Sequence, residues 1–128
     1  MSVSILLICH REIGSAFVHT AQNTYGGKLP LPISTVEVQP DTDPDTLIPE
    51  LKRLAKELDQ GDGVLVLTDL FGATPCNIAR ALMDIGHIHL VAGLNLPMLL
   101  QVMNYPDRSL DELAKTAMEA GHGGIVSE

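Results

Sequence analysis

Short unbroken apolar runs alternate along this chain with longer stretches in which apolar residues recur every three or four positions. That alternation predicts a parallel sheet covered by helices on both faces. The runs of strand length are Val3 to Cys9, Ser34 to Val38, Gly63 to Thr68 and Ile88 to Ala92. Sheets of this kind, doubly wound in the order 2-1-3-4, open a crevice where the strand order reverses.

The intervening stretches carry helix punctuation. A helix over about residues 15–24 is closed by Gly26-Gly27, and Pro30 and Pro32 force an extended entry into the second strand. Asp43 is placed to cap the next helix with Pro44 at its first position, and Leu47, Ile48, Leu51, Leu54, Ala55 and Leu58 form one stripe. Pro49 is tolerable only because it lies in the first turns, and Gly61 and Gly63 stop the helix. The third crossover starts at Thr74-Pro75 and carries Ile78, Ala79, Leu82 and Ile85 to Gly86. Asn95 begins a short helix through Met103. Ser109-Leu-Asp-Glu112 has capping-box spacing, with Leu110, Leu113, Ala114, Ala117 and Met118 as the buried face and Gly121, Gly123 and Gly124 as the stop. The tail Ile125 to Glu128 reads either as a frayed terminus or as a fifth strand with no room to turn back on its own chain, and a strand of that kind is suited to exchange in a two-fold dimer.

A length of 128 residues fits one domain, residues 1–128, and two Phe, two Tyr and no Trp require an aliphatic core. Sixteen acidic against eight basic residues give a formal charge of −8, a poor match for nucleic acid. The acidity gathers in residues 41–50 and 107–119, as expected of solvated loops and helix faces. The first apolar run lacks a cationic leader and is too short to span a bilayer, which points to a cytoplasmic protein. Cys9 and Cys76 have no metal-ligand spacing and read as small buried apolar side chains. His19, His87, His89 and His122 are scattered and read as surface or packing residues.

His10 is different, because it ends the first strand. A single Gly14 cannot make the glycine-rich turn of a dinucleotide site there, so chemistry at this turn belongs to the side chain. If the first and third strands are neighbours, about 4.8 Å apart, Asp69 comes within reach of the imidazole. A carboxylate on one ring nitrogen fixes the tautomer and leaves the other as a nucleophile. The loop Leu70-Phe71-Gly72-Ala73-Thr74-Pro75 then sets a capping hydroxyl and the free N–H groups of a helix start beside it, donors suited to phosphate. Each piece also occurs in ordinary structure: a polar strand end, an aspartate bonded to its loop, a plain helix start. Their convergence suggests a phosphoryl group held on nitrogen, transferred in line with no obligatory metal or cofactor. A metal site of His10, Asp69 and Cys9 is disfavoured, since consecutive strand residues point to opposite faces. A serine hydrolase is disfavoured by the lack of GxSxG.

The segments Cys9-His10-Arg-Glu-Ile-Gly14, Gly63-Val-Leu-Val-Leu-Thr-Asp69-Leu-Phe-Gly-Ala-Thr-Pro75-Cys-Asn77 and Val91-Ala-Gly-Leu-Asn95-Leu-Pro-Met98-Leu together resemble the enzyme IIA domain of the mannose family of the bacterial phosphotransferase system. The resemblance implies a phosphocarrier and phosphotransferase that takes a phosphoryl group on His10 from the phosphocarrier protein HPr and passes it to an enzyme IIB domain. It also implies Asp69 as the orienting carboxylate, Thr74 near the phosphate with the Gly72 and Ala73 backbone, and a homodimer exchanging C-terminal strands. Membrane contact would come only through transporter components. An apolar rim of Leu70, Phe71 and Met98 is expected to dock the partner proteins. Two departures stand out: Phe71-Gly-Ala-Thr-Pro75 replaces the aromatic-Gly-Gly-Ser-Pro form of sugar-transporting members, and no IIB domain follows in this chain. They leave an alternative, a regulatory binding module phosphorylated as a readout, without a dedicated sugar transporter.

Overall fold

In a computed structural model, which describes residues 2–128, the apolar runs pair as one sheet of four parallel strands: β1 (Ser4–His10), β2 (Ile33–Val38), β3 (Val64–Thr68) and β4 (Ile88–Ala92). Their order is β2-β1-β3-β4, as expected. The two central strands carry the longest buried runs; Ile5 to Cys9 and Leu65 to Leu67 are completely inaccessible.

Strand alternation sorts these residues between two cores. Ile5, Leu7, Cys9, Leu65 and Leu67 face one layer, which buries them under α1 (Ile13–Thr24), α4 (Leu96–Met103) and α5 (Leu110–Gly123). Leu6, Ile8, Val64 and Val66 face the other, under α2 (Pro44–Leu58) and α3 (Thr74–Arg80). The chain therefore leaves β1 toward one face and β3 toward the opposite face, and this divergence opens the crevice between His10 and Asp69.

Most helix starts follow their local chemistry. The Asp43 carboxylate accepts from the Asp45 N–H at 3.0 Å with Pro44 at the first position, the Asn95 side chain accepts from the Met98 N–H at 3.0 Å, and Ser109 and Glu112 form the reciprocal capping box.

Three expectations are corrected. The crossover from Thr74 is not one helix to Ile85, because α3 stops at Arg80 and a single 3₁₀ turn (Met83–Ile85) carries the chain to Gly86. Gly121 does not end α5; it is buried inside the helix against the flexible end of Met98, whose Cε would lie 2.9 Å from a Cβ there. Met118 is exposed, and Thr116 takes the buried position beside Ala117, its hydroxyl donating back to the Glu112 carbonyl at 2.9 Å. Residues 125–128 form no strand within the single chain, where Ile125 and Val126 are each 78% exposed beyond the end of α5, and the expected exchange would need a second subunit.

Candidate functional site

At the carboxyl edge of the two central strands, Asp69 Oδ2 lies 2.7 Å from His10 Nδ1 and accepts the His10 main-chain N–H at 3.1 Å. A carboxylate can only accept, so the short contact puts the ring proton on Nδ1 and leaves the lone pair on Nε2. Exposure divides the pair. The Asp69 side chain is 10% exposed and His10 is 44% exposed. The other carboxylate oxygen, Oδ1, is buried without a hydrogen-bond partner among the described residues, so this carboxylate is committed to His10 alone.

Beside the imidazole lies a cleft of about 420 Å³ bordered by His10, Arg11, Thr74 and the loop after β2 from Val38 to Thr42. Thr42 shapes that loop: its hydroxyl accepts the Gln39 N–H at 2.9 Å. Thr74 therefore does share a cleft with His10, but not as a cap. The N-cap of α3 is Ala73, no side chain caps the helix, and Thr74 occupies the first helical position. The cradle of N–H groups is also thinner than expected. Ala73 N–H turns into its own loop, donating to the Leu70 carbonyl at 3.3 Å, and Pro75 has none, which leaves the N–H groups of Thr74 and Cys76 unbonded at the helix start. Gly72, at φ +83°, allows the tight turn, and Asn77 Nδ2 braces it by donating to the Gly72 carbonyl at 3.2 Å.

The expected apolar rim is only partly present. Leu70 and Phe71 are 60% and 70% exposed, and the Arg80 guanidinium lies 4.9 Å from the Phe71 ring centroid. Met98 is 3% exposed and packs in the core under α5, so it is not part of the rim. Ile13, 39% exposed, stands nearer the surface in the turn after His10.

Sequence reasoning overlooked Glu37. It sits on β2 opposite Cys9, and its carboxylate accepts from the Glu12 N–H and the Ser15 hydroxyl. These bonds hold its carboxyl below the usual glutamate range, Ser15 contributing first and Glu12 second. Glu12, the N-cap of α1, adopts φ 73° and caps nothing with its own side chain. Glu37 thus does from the neighbouring strand what a local cap would do, and it fixes the turn that follows His10. No local motif announces a bond between residues 25 apart in sequence; only the register of β1 against β2 reveals it.

Both cysteines are free and buried, as expected. Burial first, and then the Asp69 charge, push the Cys9 thiol up to about 12, so it is inert beside the histidine. The remaining histidines lie away from the cleft; His87 and His89 contact Asp59 and Asp111 at the opposite edge of the sheet. Among the described residues, no group of three or more His, Cys, Asp or Glu side chains is arranged to hold a metal ion, and no helix is long and apolar enough to cross a membrane.

Fold and site together define a doubly wound α/β domain that presents a carboxylate-oriented histidine at its topological switch point. The sequence model of the EIIA-man family, described as the PTS system fructose IIA component, matches residues 4–118. The chain belongs to this family, the mannose-type enzyme IIA components of the phosphotransferase system, which as a class are phosphotransferases. It is similar to the mannose-specific EIIAB component of the same system from Escherichia coli (strain K12), at 30% identity over 128 residues, 98% of this chain and 39% of that protein. The chain thus spans about two-fifths of the length of that curated relative. Among solved structures, the mannose/sorbose specific IIA subunit from Enterococcus faecalis superposes with a TM-score of 0.86 at 28% identity, over 100% of this chain and 96% of that one. The PTS IIA protein associated with the fucose utilization operon of Streptococcus pneumoniae shares the fold, with a TM-score of 0.80 at 24% identity, over 99% of this chain and 96% of that one.

Proposed function

We propose that this chain is a phosphocarrier, accepting a phosphoryl group on Nε2 of His10 from phospho-HPr and passing it to an enzyme IIB domain of a sugar phosphotransferase system. The observation that carries this reading is the 2.7 Å contact between His10 Nδ1 and Asp69 Oδ2 on a half-exposed ring.

In the first step the Nε2 lone pair attacks phosphorus in line as the N–P bond of the donor histidine breaks. No proton needs to leave: Nδ1 keeps its hydrogen, the phosphorylated ring carries a positive charge, and the Asp69 carboxylate faces that charge. In the second step the acceptor's nucleophile attacks the same phosphorus and the electron pair returns to Nε2. The protein supplies position and charge, with Thr74 and the loop of Gly72 and Ala73 beside the phosphoryl group and Leu70 and Phe71 offering apolar surface to the visiting proteins. Both partners must reach one atom, which agrees with a shallow site. The exposed Ile125 and Val126 suit pairing of the tail with a second subunit, in a cytoplasmic homodimer that meets the membrane only through its transporter.

The test is incubation with phosphoenolpyruvate, enzyme I and HPr, followed by intact mass. A gain of about 80 Da, lost in acid and absent in His10→Ala, is expected. Undiminished labelling of His10→Ala, or no labelling of the wild type, would overturn the proposal.

A further inference from the structure

Arg11 borders the same cleft as His10 and Thr74 and is the one Lys or Arg side chain lining it among the described residues. Its main-chain N–H donates to the Val38 carbonyl at 3.1 Å, which ties it to the end of β2 one residue beyond the nucleophile. The guanidinium itself is almost uncommitted. Its ionic contact is with Glu12, Nε to Oε1 at 3.8 Å, with both side chains largely in water, too long for a hydrogen bond and weakly held. Glu37 also feels its charge, but the Glu37 oxygens are taken by Ser15 and Glu12. Arg80, the basic residue on the other flank, lies over Phe71.

Two general facts give that free cation a use. A chain of net charge −8 is a poor host for a further dianion unless a positive group stands close by. A guanidinium offers five donors in a rigid fork that matches phosphate oxygens. The N–H groups left free at the start of α3, those of Thr74 and Cys76, carry no full positive charge, which leaves this role open.

We infer that Arg11 is a phosphoryl-binding residue: its guanidinium turns from Glu12 onto the dianion carried by His10 and sets how tightly the carrier holds its cargo. The inference rests on phosphorylation of His10 as proposed above.

Wild type, Arg11→Gln and Arg11→Lys would be phosphorylated through enzyme I and HPr and compared by ³¹P NMR titration and by equilibration with HPr. All three should be labelled on His10. In Arg11→Gln the phosphoryl group should take up its proton at a pH higher by about half a unit or more, because the dianion has lost its neighbour. The equilibrium should also move severalfold toward phospho-HPr. Arg11→Lys should restore most of the titration and less of the equilibrium, since an ammonium lacks the fork. An unmoved phosphoryl titration in Arg11→Gln overturns the assignment, including the case where only the KM for phospho-HPr rises and Arg11 is a docking residue. Failure to label the wild type would instead sink the parent reading, so the two failures are distinguishable.

Discussion

One oxygen atom, Oδ2 of Asp69, holds both the main-chain N–H and the ring Nδ1 of His10, at 3.1 and 2.7 Å. The same atom decides where the imidazole is rooted and how it is turned. Asp69→Asn keeps the shape, but with its amide oxygen in place of Oδ2 it lacks the negative charge that faces the phosphorylated ring, and with its N–H there it would oppose two donors, the His10 main-chain N–H and Nδ1–H. Phosphorylation of His10 should slow by roughly ten- to a hundredfold, the range found when partners that orient a ligating imidazole are removed. Quenched-flow mass analysis reads the rate and thermal melting checks the fold; unaltered kinetics would remove Asp69 from its orienting role.

Glu37 predicts an acid-sensitive turn. Its folded carboxyl gives up its proton more readily than the ordinary glutamate value of 4.5, because the Ser15 hydroxyl and the Glu12 N–H bond the charged form. The stabilisation is therefore present above about pH 4.5 and is lost as pH falls through the lower folded value. The amide resonances of Glu12 and Ser15 should move together in that acid window, and Glu37→Gln should abolish the step. A step that survives the substitution would assign the transition to another carboxylate.

Gly14 is forced by contact rather than by a turn. A Cβ there would overlap Thr35 Oγ1 and lie 3.4 Å from Thr35 Cβ. Gly14→Ala should cost about 1–3 kcal/mol, the usual range for overpacking. Thr35→Ala removes a buried hydroxyl oxygen that has no hydrogen-bond partner, so the double variant should recover most of the loss. Urea denaturation of the four proteins tests this, and simple additivity would show that the two residues do not compete for the same space.

Phe71 and Met98 should separate docking from stability. Met98→Ala empties a core position and should cost about 2–5 kcal/mol. Phe71→Ala exposes nothing buried, gives up its stacking with Arg80, worth about 0.5–1 kcal/mol at an exposed site, and should raise the KM for phospho-HPr severalfold. Melting curves and donor titrations should show opposite patterns for the two variants; a Phe71→Ala protein that docks normally would remove this side chain from the interface.

How much of this was legible in the chain depended on whether the cause was local. The strands and the caps at Asp43, Asn95 and Ser109 were, because burial on both faces and a helix start each leave a signature within a few residues. The meeting of His10 with Asp69 followed from strand order alone. Thr74 misled because a hydroxyl before proline has the composition of a cap, whereas the backbone bends one residue earlier. Met98 misled because a short apolar helix does not declare which side meets a neighbour, and the answer lay in Gly121, 23 positions onward in the numbering. Glu37 was silent for the same reason: a single acid on a strand has no meaning until the strand beside it is in register.

The double hold on His10 also governs traffic. A ring that cannot swivel offers its one open nitrogen along a single line of approach, so giver and receiver must use the same doorway in turn. Under the proposed relay, no three-protein assembly can form around this atom, and each cycle waits for one visitor to leave before the next arrives. Throughput should then be governed by how fast the complexes fall apart, which favours brief, weakly held encounters over tight ones.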